Sequence, residues 1–167
     1  MRRRSAFHVG ALAALGLAAL SLGPSAPSFV WNASASAPLG LYHVEQPNEL
    51  SKGDLVLAWA PESARRLAAA RGYLPESVPV AKRIAAMTGD TVCGRNGLLL
   101  INGWVAAIQL PADSQGRPLP PWTGCRVLAA DEVFLLMVEV WDSFDGRYFG
   151  PISTSAIIGK LVSIWTR

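Results

Sequence analysis

Residues 98–108 read LLLINGWVAAI, and this stretch decides the fold class. Two apolar runs, Leu98–Ile101 and Trp104–Ile108, are separated by the dipeptide Asn102-Gly103. Asn-Gly between apolar runs is the strongest short signal for a tight turn that joins two antiparallel strands. We therefore expect a β-hairpin at this position.

Further segments with strand character lie on both sides of the hairpin. They are short apolar runs bounded by turn residues, namely Leu55–Ala60, Val78–Met87, Val133–Val140 and Ile157–Trp165. One segment, Glu62–Arg71, predicts a helix because it follows Pro61 and stops at Gly72. Residues 109–125 contain four prolines and predict a long loop. We expect a mainly β chain, folded as a coiled antiparallel sheet or open barrel with a short helical insertion.

The N-terminal segment predicts a membrane anchor. Residues 6–23 are uncharged and apolar or small, and an arginine triplet at residues 2–4 precedes them. As a helix at about 1.5 Å per residue this segment would measure roughly 27 Å, just enough for a hydrocarbon core of ~30 Å. Arginines favour the cytoplasmic side. The predicted division is a cytoplasmic N-terminus over residues 1–5, a transmembrane anchor over 6–23, a leader over 24–35 and an exported domain over 36–167.

Two other interpretations of this segment remain open. A cleavable signal peptide has the same charge and hydropathy pattern. The small-x-small sequences Ala33-Ser34-Ala35 and Ala35-Ser36-Ala37 resemble cleavage sites, but both lie more than ten residues beyond the apolar run. A buried core helix is the third interpretation, and the arginine triplet argues against it.

The distribution of charge excludes several classes of protein. Hydrophobic residues make up 51% of the chain and charged residues 16%, which excludes a disordered chain. Lysine and arginine total 15 and acidic residues 12, a net charge of +3. The arginine triplet accounts for the whole excess, so residues 5–167 are neutral by count. Because this part has no basic excess to hold a polyanion, we expect no nucleic-acid partner.

The two cysteines, Cys93 and Cys125, predict a disulfide if the domain is exported. Closing a loop of about thirty residues would contribute roughly 3–4 kcal/mol in the chain-entropy model. The alternative is two unrelated buried thiols. A zinc site is not expected, because the sequence has no paired Cys or His spacing and its only histidines are His8 and His43. We expect neither a metal nor a cofactor.

Lysine is scarce, with only Lys52, Lys82 and Lys160 against twelve arginines. In a strand over residues 78–87, Lys82 shares its face with apolar residues, because alternate side chains point the same way. Burial would lower the pKa of the amine, so that Lys82 could take a proton from a serine hydroxyl. The alternative is that Lys82 is exposed or extends to the rim of the sheet. A Ser-His-Asp triad has little support, because GxSxG is absent.

Three segments carry a resemblance to a known family. They are Ser36–Tyr42 (SAPLGLY), Val80–Asp90 (VAKRIAAMTGD) and Ser143–Pro151 (SFDGRYFGP). In this order, and after an N-terminal apolar segment, they resemble the nucleophile motif, the base motif and the third motif of the TraF-type conjugative-transfer signal peptidases. That family is a branch of the type I signal peptidases, whose catalytic domain is a coiled antiparallel sheet or open barrel.

The resemblance implies a role for each matching residue. Ser36 would be the nucleophile and Lys82 the general base. The Ser36 N–H and the Ser34 hydroxyl would form an oxyanion hole, and Ser143 would orient the Lys82 amine. The alternative for Ser34 is an ordinary leader serine.

The third motif also contains a charged pair and one departure from the family pattern. Asp145 and Arg147 would hold this motif in place, and the alternative is that they serve the fold alone. Gly146 stands where a serine is commoner in the family. The resemblance therefore does not establish how stiff the backbone is at this position.

The implied function is that of a membrane-anchored serine endopeptidase in the bacterial inner membrane, with its catalytic domain in the periplasm. Its substrate would be a conjugative pilin precursor or another exported transfer protein, cleaved and in some relatives closed into a ring by aminolysis. The implied partners are this substrate, inner-membrane lipid and other conjugative transfer proteins. The short chain lacks the large second domain of the housekeeping enzymes.

Three alternatives remain beside this function. They are a housekeeping type I signal peptidase, a non-enzymatic anchored periplasmic assembly protein, and a cytosolic self-cleaving repressor with a Ser/Lys pair on a related β-fold. The predicted anchor and the lack of a DNA-binding region argue against the repressor.

Overall fold

The computed structural model describes residues 27–167. The predicted anchor at residues 6–23 lies outside the described residues. Within residues 27–167, no helix has both the length and the apolar character needed to cross a bilayer.

The described residues are mainly strands. The strands are β1 (Phe29–Asn32), β2 (Gly40–Glu45), β3 (Leu55–Ala58), β4 (Val80–Ala86), β5 (Thr91–Arg95), β6 (Leu98–Ile101), β7 (Trp104–Ile108), β8 (Gly124–Val127), β9 (Glu132–Leu135), β10 (Ile152–Ser153) and β11 (Ile157–Thr166). The helices are α1 (Glu62–Ala70) and α2 (Gly146–Phe149), and a 3-10 turn covers Thr154–Ala156. The predicted mainly β fold with a short helical insertion is therefore confirmed.

The strands form two antiparallel sheets. The larger sheet has the order β1-β2-β11-β3-β4-β9-β10, and the smaller has the order β7-β6-β5-β8. Ala86 and Phe134 of the larger sheet pack with Val92 and Leu99 of the smaller sheet, and all four are buried. This apolar cluster joins the two sheets into one body.

The hairpin predicted at Asn102-Gly103 is present with the expected bounds. β6 and β7 pair antiparallel, with Ile101 opposite Trp104. Asn102 and Gly103 have φ of 52° and 84°, the left-handed conformation that such a turn requires at both positions.

Two of the predicted boundaries were wrong, and the predicted leader contains a strand. The strand predicted over Val133–Val140 ends at Leu135, because the following carbonyls bind a buried arginine rather than a neighbouring strand. The end of the predicted loop over residues 109–125 enters β8, which pairs with β5. β1 falls within the predicted leader and pairs with β2, so part of that segment belongs to the sheet.

The two cysteines are joined as a disulfide between the strands of the smaller sheet. Cys93 of β5 and Cys125 of β8 lie directly opposite each other in the antiparallel register, with Cα atoms 4.0 Å apart. The disulfide closes a segment with a sequence separation of 32 residues.

Candidate active site

Lys82 lies in the interior of the larger sheet. It is on β4 opposite Val56 of β3, and only 2% of its surface is exposed. Ile84 and Ala86, on the same face, are buried as the alternation predicts. The interpretation of Lys82 as an exposed or rim residue is therefore wrong.

The Lys82 amine has a neutral partner. Its Nζ donates a hydrogen bond of 2.7 Å to Oγ of Ser143, whose side chain is also buried. Lys52 and Lys160 each form an ion pair with an aspartate, whereas none of the salt bridges within residues 27–167 involves Lys82. Burial lowers the pKa of Lys82 from 10.5 to about 8, against an opposing effect of the Asp145 charge. With this pKa, roughly a tenth of the Lys82 amine is neutral at pH 7.

A buried ion pair stands next to the lysine. Asp145 and Arg147 are 0% and 1% exposed, and Arg147 Nε and Nη2 donate to the two Asp145 oxygens at 3.0 and 3.1 Å. Asp145 also accepts the backbone N–H groups of Met137 and Arg147. This two-point contact neutralises the carboxylate locally, so Asp145 is not free to pair with the Lys82 amine.

The Arg147 guanidinium also shapes the chain that leads to Ser143. It donates to the carbonyl oxygens of Met137, Val140 and Trp141 at distances between 2.5 and 2.7 Å. The Ser143 N–H in turn donates to the Val140 carbonyl at 3.2 Å. Residues 137–143 thus wrap around one buried guanidinium, which fixes where Ser143 meets Lys82.

Ser36 lies in a short loop between β1 and β2. Its Oγ is 2.9 Å from Oγ of Ser34, and its N–H donates to the same Ser34 oxygen at 3.3 Å. The loop ends at Gly40, where a Cβ would lie 2.0 Å from the Trp165 carbonyl oxygen. Glycine at this position of the first motif therefore lets the end of β11 pack against the loop.

Asn32 organises this loop, and sequence reasoning missed it. Its Oδ1 accepts the Ser34 N–H at 3.1 Å, and its Nδ2 lies 3.0 Å from the carbonyl oxygens of Ser34, Ala37 and Pro38. Two amide protons serve three acceptors, so one bond is shared. The bond from Asn32 to the second residue after it is an Asx turn, and an asparagine before small residues is the signal that could have revealed it.

The Ser36 loop and β4 both contribute residues to one cleft, although neither Ser36 nor Lys82 is among the residues that line it. Ala35 and Ala37, the neighbours of Ser36, line a cleft of ≈ 450 Å³ together with Arg83, the neighbour of Lys82. Met137 and Val140, from the segment that Arg147 holds, line it as well. The hydrogen-bond partner of the Ser36 hydroxyl in this structure is Ser34 rather than Lys82.

The paired serines are not distinctive by geometry alone. Ser153 and Ser155 repeat the arrangement, with hydroxyls 2.8 Å apart and the Ser155 N–H donating to Ser153 at 3.2 Å. The position of Ser36 between two residues of the cleft is what distinguishes the first pair.

The family of the chain follows from its sequence profile. The profile described as signal peptidase, peptidase S26 matches residues 2–166. The chain belongs to this signal peptidase family. The residues around Lys82 therefore belong to a chain of a peptidase family.

Relatives of this signal peptidase-family chain are transfer proteins. The plasmid transfer protein TraF of Escherichia coli is 33% identical over 145 residues, which cover 81% of each chain. A probable conjugal transfer protein TraF of Sinorhizobium fredii is 34% identical over 144 residues, or 81% of this chain and 76% of the relative. A conjugal transfer protein TraF of Agrobacterium tumefaciens is 30% identical over 175 residues, or 99% and 98%. The resemblance to TraF-type signal peptidases is thus confirmed.

Among solved structures, a signal peptidase I of Enterococcus faecalis is similar at a TM-score of 0.41 and 20% identity. The alignment covers 69% of this chain and 98% of that chain. This similarity is too distant to support a structural argument of its own.

Proposed function

We propose that this chain is a serine endopeptidase of conjugation, with Ser36 as nucleophile and Lys82 as general base. Its substrate is the precursor of a conjugative pilin or of another transfer protein. One observation carries the proposal: the buried Lys82 amine is bound to a neutral hydroxyl rather than to a carboxylate, in a chain of the S26 signal peptidase family. The TraF names of its relatives support the link to conjugation.

In the first step the neutral Lys82 amine takes the proton of the Ser36 hydroxyl while the serine oxygen attacks the scissile carbonyl carbon. A tetrahedral intermediate with an oxyanion forms. The protonated Lys82 then gives its proton to the nitrogen of the leaving peptide, the C–N bond breaks, and an acyl-enzyme remains. Ser143 accepts a hydrogen bond from the Lys82 amine. This bond orients the amine, so that the lone pair on Nζ is directed towards the Ser36 hydroxyl.

The oxyanion is held by the Ser36 N–H and the Ser34 hydroxyl. In the free protein these two groups bind each other, at 3.3 Å between Ser36 N and Ser34 Oγ. Substrate binding therefore requires the Ser34 side chain to turn, so that both groups donate to the new oxyanion. A donor of this kind contributes about 2.7–4 kcal/mol to transition-state stabilisation.

The acyl-enzyme is released by an incoming nucleophile. The acyl group is the part of the substrate on the N-terminal side of the cleaved bond. Water releases it as a linear acid. If the cleaved bond lies on the C-terminal side of the pilin, the pilin's own N-terminal amine can release it as a ring. In either case neutral Lys82 takes the proton of the incoming group and returns it to the Ser36 oxygen. The difference between the two products is one water molecule, which mass spectrometry measures directly.

The lining of the cleft favours small and apolar side chains next to the cleaved bond. Ala37, Met137 and Val140 contribute apolar surface, while Arg83 and Glu139 contribute charges of both signs. Residues 6–23 would anchor the enzyme in the inner membrane, with residues 36–167 in the periplasm. Fourteen residues from Leu22 to Ser36 extend at most about 50 Å, which keeps the site within reach of a substrate in the same bilayer.

The test is co-expression of the full chain with the pilin precursor from its own operon, followed by mass measurement of the pilin. We expect wild type to shorten the precursor, and Ser36→Ala and Lys82→Ala each to leave the precursor intact. Ser155→Ala is the matched serine control, because it breaks the equivalent Ser153–Ser155 pair. Lys160→Ala is the matched lysine control.

Three outcomes would overturn the proposal. Full processing by Lys82→Ala would exclude the dyad, and processing of many unrelated precursors would favour a housekeeping signal peptidase. Intact precursor in the presence of folded wild type would favour a non-enzymatic assembly role.

A further inference from the structure

Phe144 connects the third motif to an aromatic cluster. It stands between Ser143 and Asp145 in the chain, and its ring stacks on Tyr148 with a centroid distance of 5.6 Å and an angle of 9°. Phe149 meets the same ring edge-on at 6.1 Å. The position of the Phe144 ring therefore constrains the backbone of the residue that binds Lys82.

Tyr73 contacts this ring from a different part of the chain. It follows α1, in the helical insertion between β3 and β4, and its ring centroid is 5.6 Å from that of Phe144. Tyr148 and Phe149 belong to the same short helix as the third motif, whereas Tyr73 approaches from outside that motif. The insertion thus supplies an external support for Phe144.

The Tyr73 ring is itself held on two sides. Its hydroxyl donates a hydrogen bond to Asp113, and the Arg117 guanidinium lies 5.5 Å from the ring centroid. Arg117 Nε also donates to Asp113 at 2.7 Å. Burial opposes ionisation of Asp113, but hydrogen bonds from Tyr73 and Arg117 hold its pKa well below the usual range. The carboxylate stays charged at neutral pH and keeps the tyrosine in place.

Two arginines fasten the insertion to the loop that contains Asp113. Arg71 Nη2 donates to the Pro118 carbonyl at 2.6 Å, and Arg117 Nη2 donates to the Arg71 carbonyl at 3.2 Å. These bonds run in opposite directions between the two segments. The insertion and the loop therefore form one support behind Phe144.

We propose that Tyr73 is a positioning residue, whose ring holds Phe144 and thereby fixes Ser143 against the Lys82 amine. The proposal rests on the proposed function, in which Lys82 is the base. Without the Tyr73 ring, Phe144 gains freedom, the Lys82–Ser143 bond of 2.7 Å loosens, and water reaches the amine. Better solvation then raises the pKa of Lys82 towards its ordinary value.

The charges around Lys82 do not change in this experiment. The groups that act on its amine are Asp145, Arg147 and Asp142. Tyr73 is a neutral residue that acts on Phe144, so replacing it removes packing and leaves these three charges in place. A change in the titration of Lys82 would therefore report the geometry of the site.

The experiment compares Tyr73→Ala with Tyr73→Phe in the full chain in detergent micelles. In Tyr73→Ala we expect kcat on a pilin-precursor peptide at pH 7 to fall roughly tenfold or more with little change in KM, and to recover towards wild type at pH 10. Tyr73→Phe loses the hydrogen bond to Asp113 but keeps the ring against Phe144 and beside Arg117, and should retain most of the wild-type kcat. Arg66→Ala is the control, because Arg66 lies on the exposed side of the same insertion and pairs with Glu62.

Titration of Lys82 by NMR with labelled lysine gives the second readout, and it does not need activity. We expect the midpoint in Tyr73→Ala to be higher than in wild type by about one pH unit or more, and that in Tyr73→Phe to stay close to the wild-type midpoint. If Tyr73→Ala does not fold, Tyr73→Leu replaces it, with the same expected direction. An unchanged midpoint and kcat in a folded Ala or Leu variant would overturn the positioning role. Processing by Ser36→Ala would instead overturn the proposed function.

Discussion

The Nζ atom of Lys82 donates a hydrogen bond of 2.7 Å to Oγ of Ser143, although 61 residues separate them in the chain. Each side chain is 2% exposed. A buried lysine is no longer hydrated, and the partner of Lys82 is a neutral hydroxyl rather than a carboxylate. The charged form of the amine is therefore poorly stabilised, which makes the neutral form accessible. The third motif thus holds the lysine of the second motif, through a segment that wraps around the Arg147 guanidinium.

The first prediction concerns the pH dependence of cleavage. Because burial lowers the pKa of Lys82 to about 8, the amine is mostly protonated and inactive as a base below that pH. We expect kcat/KM to rise about tenfold per pH unit below pH 8 and to level off above it. Initial rates on a precursor peptide between pH 6 and 10 check this. An acidic limb centred near 10.5 would mean that the lysine is solvated.

The second prediction concerns stability, and its sign follows from the same pKa. Between pH 8 and 10.5 the unfolded chain holds a proton on Lys82 that the folded chain has lost, so wild-type stability rises with pH there. Below pH 8 the buried ammonium costs about 3 kcal/mol at 1.36 kcal/mol per pKa unit.

Lys82→Met should therefore be more stable than wild type by about 2 kcal/mol at pH 7, after the loss of the Ser143 hydrogen bond. The advantage should disappear as the pH approaches 10.5. Urea unfolding at pH 7 and pH 10 measures both values. A variant less stable than wild type at pH 7 would refute the assigned cost of burial.

The third prediction concerns the ion pair between Asp145 and Arg147. Replacing one partner leaves the other charge buried and unpaired, which typically costs about 3–5 kcal/mol. We expect Arg147→Met to lose at least this much, because the guanidinium also binds three carbonyl oxygens. Arg66→Ala, which breaks an exposed pair with Glu62, should have a much smaller effect on stability. Equal midpoints of thermal unfolding for the two variants would contradict this account.

The fourth prediction concerns Gly146, the position at which the third motif departs from the family pattern. A Cβ on Gly146 would lie 2.6 Å from the Leu135 carbonyl oxygen and 2.7 Å from the Phe134 ring. The backbone has no room for a larger residue here, so Gly146→Ser should destabilise the chain by about 1–3 kcal/mol. Chemical unfolding of the variant tests this, and a neutral or stabilising effect would show that the site can relax.

Local signals predicted the parts of the fold that depend on neighbouring residues. The hairpin at Asn102-Gly103 was predicted because its turn needs only those two residues. β1 and β2 were not predicted, because their short sequences mix apolar and polar residues without a clear alternation. β2 becomes a strand by pairing with β11, from the other end of the chain. The apolar run after Leu135 could not be told from a longer strand, since the arginine that binds its carbonyls lies farther along the sequence.

In the candidate site, too, the features set by neighbouring residues could be predicted, and those set by distant segments could not. The burial of Lys82 followed from the alternation of one strand, which is a local property. Its contact with Ser143 and the pairing of Asp145 with Arg147 were expected only from the family resemblance, because their environment is built by distant segments. The role of Asn32 in the Ser36 loop depends on the folded course of that loop, and no apolar periodicity reports it.

The most direct test of the central claim is a titration of the Lys82 amine itself. The chain has only three lysines, so selective labelling of lysine gives three side-chain signals, and Lys82→Met identifies the one of interest. In Ser36→Ala, which removes turnover but leaves the lysine pocket intact, we predict a midpoint of about 8 for Lys82. Lys52 and Lys160, which are paired with aspartates, serve as internal references. A Lys82 midpoint at 10.5 or above would contradict its assignment as a general base.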